Sequence, residues 1–268
     1  MNESTVLRPT TGTWAAVLVA FAMCHAGPAL AEAAADAPLC GSGPLEILLT
    51  NDDGFEAPGI RALHAALRSA GHRVRLVAPA SNASGTSSSF TWGRVTVTRS
   101  DSDPDVFGVA GTPATAVVLG ATALYPPGVR PDLVVSGIND GTNTGSVLAL
   151  SGTIGAALAG TMLLDPPVPG FAINAERPPT PQAKAALPAQ HLDQVAAHVT
   201  RLIASTRGWF CERGRVVRAT TVLNLNYPAR AVATAPLIFW RASRPAGRRR
   251  PGGWRRRVRP VRCSRERR

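Results

Sequence analysis

Cysteine is scarce, at four in 268 residues. Cys24, Cys40, Cys211 and Cys263 share no short repeated spacing, which excludes a cysteine-built zinc module. Long apolar runs are absent as well. The stretch 14–23 is about ten residues against the roughly twenty that a membrane helix needs, so no retained anchor is expected. No internal repeat is evident. Acid is almost missing from one region only: residues 241–268 hold thirteen arginines against the single Glu266 and so carry the whole formal charge of +12. Residues 1–240 balance 16 basic against 16 acidic side chains. The basic character therefore says nothing about the folded body, for which no nucleic-acid partner is expected. Because 241–268 also lacks apolar periodicity, it is expected to be a disordered, low-complexity basic tail. Contact with anionic surfaces and translation of a shifted reading frame are both open readings of it.

What is present at the other end is an export signal. Arg8 in a short polar start, the apolar stretch 14–23 and the small-residue site Ala29-Leu30-Ala31 predict a signal peptide over 1–31. Met23 stands where a lipoprotein signal would place a small residue, which argues against lipidation at Cys24. A periplasmic or secreted location follows, and with it an oxidising compartment. A Cys40–Cys211 bridge and two unrelated thiols are both open. An alanine- and glycine-rich linker, 32–44, leads to one folded domain over 45–240.

The domain begins with the apolar run Ile47-Leu48-Leu49, which ends in Thr50-Asn51-Asp52-Asp53-Gly54. Asp-Gly between apolar segments also suits a hairpin. Here, however, Pro58-Gly59 opens a stretch with Ile60, Leu63 and Leu67 at helical spacing, and the next strand pattern begins only at Val74. Strand, loop, helix, strand is a βαβ unit, whose first loop bears the site. A hydroxyl-dense loop, 80–89, follows the second strand. Segments 94–98 and 105–109 alternate like half-exposed strands and are expected to form an antiparallel excursion. Gly111-Thr112-Pro113 opens a helix. Asp132-Leu133-Val134-Val135 is a buried strand that leads into the glycine-rich loop 136–145. Ser151-Gly152-Thr153 then caps a small-residue helix, whose start is either an anion site or an ordinary cap. A strand over 168–175, a proline-rich loop, an amphipathic helix from Leu192 to Ile203 and a strand from Val222 complete the alternation. The fold class is α/β, a doubly wound, mostly parallel sheet.

The loops after three strands offer carboxylates, hydroxyls and amides, without histidine or thiolate. All-oxygen donors suit hard cations, Mg²⁺ or Mn²⁺ rather than zinc or copper. A cation beside a helix N-terminus suits a phosphate ester, and phosphomonoester hydrolysis is the expected chemistry. Both acids reach one ion only if the chain turns at them, which Gly54 permits.

These blocks resemble one family. Asn51-Asp52-Asp53-Gly54 with Ala57-Pro58-Gly59-Ile60, Ser84-Gly85, Gly111-Thr112-Pro113, Val135-Ser136-Gly137-Ile138-Asn139 and Ser151-Gly152-Thr153 look like the SurE family of 5′/3′-nucleotidases, in collinear order over about 45–226. The resemblance implies a Rossmann-like fold and a divalent metal held by Asp52, Asp53, Ser84 and Asn139, with Asp52 and Asp53 as the catalytic acids. It also implies phosphate contacts from Asn143, Ser151, Gly152 and Thr153, and a nucleoside monophosphate as substrate. A catalytically silent nucleotide- or metal-binding protein of the same fold is the alternative. The chain departs from the family pattern at Ala83, Thr115 and Ala159, where arginine, an acid and glutamate are usual. It departs again from residue 241 onward, where the family has an oligomerisation arm, so a homo-oligomer does not follow from the resemblance.

Overall fold

The structure, a computed structural model, describes residues 37–177 and 186–229. The expected signal peptide, the first residues of the linker, the tail from 241 and the middle of the proline-rich loop lie outside the described residues. Seven strands form one sheet: β1 (Glu46–Thr50), β2 (Arg73–Pro79), β3 (Val97–Arg99), β4 (Val106–Val109), β5 (Leu133–Asp140), β6 (Gly170–Ala175) and β9 (Val222–Tyr227). Their order is β3-β4-β2-β1-β5-β6-β9, and every pairing is parallel except β3 with β4. The expected excursion is thus β3 alone. β4 continues the parallel sheet, because Leu76 to Pro79 pair with Val106 to Val109.

Successive residues of one strand face opposite ways, and the core divides accordingly. Ile47, Leu49, Leu76 and Val135 face α1 (Pro58–Ser69) and α4 (Ala189–Thr206), whereas Leu48, Val77 and Val134 face α2 (Pro113–Leu119) and α3 (Gly152–Met162). Strands covered on both faces read as continuous apolar runs, which is why 47–49 and 133–135 carry no alternation. The helix starts follow the sequence signals. Pro58 and Pro113 occupy first-turn positions, and the Thr112 and Ser151 side chains accept from Thr115 N–H and Ile154 N–H.

Two features hold the N-terminal segment. Cys40 and Cys211 form a disulfide, and the buried Arg207 guanidinium donates to the carbonyls of Pro38, Leu39 and Gly43. Cys211 opens the two-stranded β7 (Cys211–Glu212) and β8 (Arg215–Val216), which pair antiparallel.

The chain enters the sheet at its middle. From β1 it winds through β2 and β4 towards one edge, then returns to β5 beside β1 and winds towards the other. The loops after β1 and β5 leave in different directions, so a crevice opens between them at the carboxyl ends of the strands.

Candidate metal and phosphate site

Asp52 and Asp53 lie at this crevice, in a turn that their neighbours fix. Asn51 clamps it from both sides: its Nδ2 donates to Gly54 O at 2.9 Å and its Oδ1 accepts from Gly54 N–H at 3.2 Å. Gly54 has φ +114, a conformation side-chain-bearing residues rarely adopt. The turn sends the two acids to different surroundings. Asp52 is 3 % exposed and faces the start of α3, where Thr153 Oγ1 donates to its Oδ1 at 2.6 Å. The Gly152 and Thr153 N–H groups also stabilise it. A Cβ on Gly152 would lie 2.8 Å from Asp52 Cβ, so only glycine allows this approach. Asp53 is half-buried and faces β5, accepting from Asp140 N–H at 3.3 Å and, more distantly, from Asn82 Nδ2 at 3.4 Å.

Burial pushes the Asp52 carboxyl above its ordinary value, against the donors at α3. Burial and then the neighbouring Asp52 charge push Asp53 up to about 6. Two acids that burial disfavours as anions, Asp53 also through the charge of Asp52, are what a divalent cation would stabilise. Among the described residues no three His, Cys, Asp or Glu side chains come together as a metal cluster. A cation at this place would rest on two carboxylates and neutral oxygens, a hard donor set.

The Ser84 loop reaches the same place from β2. It is not a free linker: Ala83 N–H donates to Asp52 O at 2.7 Å, Ser84 N–H to Asn82 Oδ1 at 3.1 Å, and Ser87 N–H to Leu150 O at 3.1 Å. Asn139 arrives from β5, which runs on to Asp140 past a register shift between Ser136 and Asn139. Asn139 therefore sits on a strand end opposite Asn174, where a loop over 136–145 was expected. Its Nδ2 donates to Gly141 O at 2.9 Å.

The residues expected to touch phosphate are arranged differently from one another. Ser151 Oγ caps Ile154 N–H at 3.1 Å, and Gly152 and Thr153 face Asp52. Asn143 is 5 % exposed and belongs to a buried amide network. Its Nδ2 donates to Asn174 Oδ1 at 2.6 Å, its N–H donates to Asn226 Oδ1 at 2.8 Å, and its carbonyl accepts from Asn224 Nδ2 at 2.9 Å. Asn174 Nδ2 in turn donates to Asn224 Oδ1 at 2.7 Å. Sequence reasoning missed this network and the Asn51 clamp. The signal was there in Asn174 within an otherwise apolar strand and in the alternating Asn224 and Asn226.

A larger cavity, 280 Å³, lies at the other end of the strands beside Arg68, Arg73 and Arg75. These arginines pair with Asp103, Glu46 and Asp105, so its charges are already matched. Parallel sheets bind ligands at the carboxyl ends, and the cavity that matters is the 210 Å³ one beside Asp53.

Comparison with known proteins points to one family. The family model described as survival protein SurE matches residues 47–248. The 5′-nucleotidase SurE of Desulfovibrio desulfuricans is 40% identical over 187 residues, 69% of this chain and 67% of that protein. The 5′/3′-nucleotidase SurE of Yersinia pestis is 37% identical over 184 residues, 69% and 63% of the respective chains. The crystal structure of the SurE protein from Aquifex aeolicus matches at a TM-score of 0.56 and 33% identity, over 69% of this chain and 66% of that one. The chain thus spans just under two thirds of the length of the Yersinia and Aquifex proteins.

Proposed function

Because the chain belongs to the SurE family, we propose that it is a divalent-metal-dependent phosphomonoesterase that hydrolyses nucleoside 5′- and 3′-monophosphates to nucleoside and phosphate. The observation that carries this reading is the meeting of Asp52 and Asp53 with the Ser84 loop and the Asn139 strand end at the sheet's switch point, with both carboxyls held above their ordinary range.

In this reading Asp52, Asp53, Ser84 and Asn139 hold Mg²⁺ or Mn²⁺, which when bound supplies charge to polarise the phosphoryl group. Asp52 is held in place by Thr153 and the start of α3, so its orientation needs no reorganisation during turnover. Asp53 is fixed by Asp140 N–H. The N-terminal end of α3 carries positive potential, shared between Asp52 and an incoming phosphate, and Ser151, Gly152 and Thr153 form that side of the site. Asn143 positions Thr153 from behind, at 3.5 Å, and is the remaining phosphate-side residue. The Cys40–Cys211 disulfide supports an exported protein.

The test is phosphate release from 5′-AMP and 3′-AMP with Mg²⁺ or Mn²⁺. Chelator should abolish it, and Asp53→Asn should lower it by about a hundredfold or more. Activity unchanged in Asp53→Asn would overturn the reading. Nucleotide binding without turnover in the wild type would favour a silent binding protein.

A further inference from the structure

Behind the start of α3, asparagines meet from β6, β9 and the loop after β5. Ala172 and Val222 pack on Ile154 and Ala157 of α3. Asn174, two residues after Ala172, and Asn224 and Asn226, two and four after Val222, therefore face the same side. The two ends of an amide are alike in shape, so its direction is fixed only by partners that can act in one way. Main-chain groups are such partners here. Asn143 O accepts from Asn224 Nδ2 at 2.9 Å and from Asn226 Nδ2 at 3.2 Å, and Leu225 O accepts from Asn174 Nδ2 at 2.8 Å. A carbonyl only accepts, so Asn224 and Asn174 must turn nitrogen to it and oxygen to their other neighbour. Asn224 Oδ1 thus takes Asn174 Nδ2 at 2.7 Å, and Asn174 Oδ1 takes Asn143 Nδ2 at 2.6 Å.

The consequence reaches the acid turn. With one hydrogen of Asn143 Nδ2 held by Asn174, the other faces Thr153 Oγ1 at 3.5 Å. The hydroxyl has a single proton and donates it to Asp52 Oδ1 at 2.6 Å. A flipped Asn143 would offer its Oδ1 to the same hydroxyl and compete with Asp52 for that proton. Asn174, which is completely buried, forbids the flip, because two oxygens would then face each other across the 2.6 Å contact.

We propose that Asn174 is a positioning residue: by locking the Asn143 amide it commits the Thr153 hydroxyl to Asp52 and holds that carboxylate where it serves a divalent cation. This rests on the metal-site reading above, in which Asp52 is a ligand. Asn174 acts on the site only through Asn143 and Thr153. It is therefore distinct from the residues already placed around the metal and phosphate.

The test is calorimetric titration with Mn²⁺ of the wild type, Asn174→Leu, Asn174→Asp, Thr153→Val and the double variant Asn174→Leu with Thr153→Val. Asn174→Leu, similar in shape but without the acceptor, should weaken Mn²⁺ binding by about tenfold. Asn174→Asp keeps an oxygen towards Asn143 and loses only the donor to Leu225 O, so it should weaken binding by no more than about threefold. In the Thr153→Val background Asn174→Leu should add less than about twofold, because the hydroxyl through which it acts is gone. Asn174→Ala deletes the same acceptor and replaces Asn174→Leu if that variant does not fold. Affinity within about twofold of wild type in Asn174→Leu, equal losses in Asn174→Leu and Asn174→Asp, or losses that multiply in the double variant overturn the assignment. Those outcomes leave Mn²⁺ binding and AMP hydrolysis by the wild type intact. A wild type that neither binds Mn²⁺ nor hydrolyses AMP overturns the metal-site reading and this inference together.

Discussion

Asp53 is where a single side chain couples stability to function. Its carboxyl is raised from 3.8 to about 6 by burial and by Asp52. The metal-free folded state therefore holds this proton more tightly than the unfolded chain does. Below about pH 4 both states are protonated and Asp53 costs nothing; the cost grows as pH rises to 6 and is constant above it. The gap between 3.8 and about 6 corresponds to at most about 3 kcal/mol. His64, His72 and His198 act in the other direction, since burial lowers their pKa and favours the neutral form. Their contribution is lost as pH falls through the ordinary histidine range. The prediction is therefore a difference: in chelator, Asp53→Asn should be more stable than wild type at pH 7 and lose that advantage by about pH 4. Thermal unfolding of both proteins across this range checks it, and parallel curves would refute it. Saturating Mg²⁺ should reverse the order at pH 7, since the cation stabilises only the ionised wild-type site.

At the scale of elements, the small residues of α3 are a docking surface. A Cβ on Gly155 would lie 2.0 Å from Ser87 O, so the helix and the hydroxyl-rich loop touch backbone to backbone. Ser87 Oγ adds a bond to Ala149 O at 2.8 Å. This contact turns a loop of serines, flexible by composition, into a fixed arm that presents Ser84. Gly155→Ala should cost about 1–3 kcal/mol of stability by overpacking. It should also weaken Mg²⁺ or Mn²⁺ affinity, because Ser84 moves with the loop. Unfolding in denaturant and metal titration by calorimetry measure the two effects, and unchanged affinity would mean that Ser84 is not a ligand.

For the molecule as a whole, the Cys40–Cys211 disulfide joins residues 171 apart in sequence. It ties the segment before β1 to the β7–β8 hairpin after α4, with Arg207 bound across the same junction. A closure this long restricts the unfolded chain strongly. Reduction, or Cys40→Ser with Cys211→Ser, should cost about 2–5 kcal/mol, roughly 5–15 °C in Tm for a domain of this size. Calorimetry with and without reductant checks this. The site lies at the strands' carboxyl ends, with Asp52 and Asp53 in the turn directly after β1, whereas the bridge sits before β1, so AMP hydrolysis at 25 °C should survive reduction. Its loss at a temperature where the reduced protein is still folded would show that the bridge supports the site as well.

The sequence by itself determined the order of strands and helices, because apolar runs, helical spacing and caps such as Pro58, Thr112 and Ser151 are local signals. It also set Asp52 and Asp53 just behind the apolar run 47–49, whereas Ser84 and Asn139 were singled out by the family resemblance. Which loops meet was decided by the sheet order, which sets β2, β1 and β5 side by side. Only that arrangement turns Thr153 onto Asp52, joins Asn143 to Asn174 and Asn224, and brings Asp140 to Asp53. Such contacts span from tens of residues to more than a hundred, and the alternation of Asn224 and Asn226 marks a strand face without saying which amides it meets. The carboxyl shifts likewise depend on burial and on neighbouring charges, which arise when the strands close around the turn and are set by packing rather than by residue type.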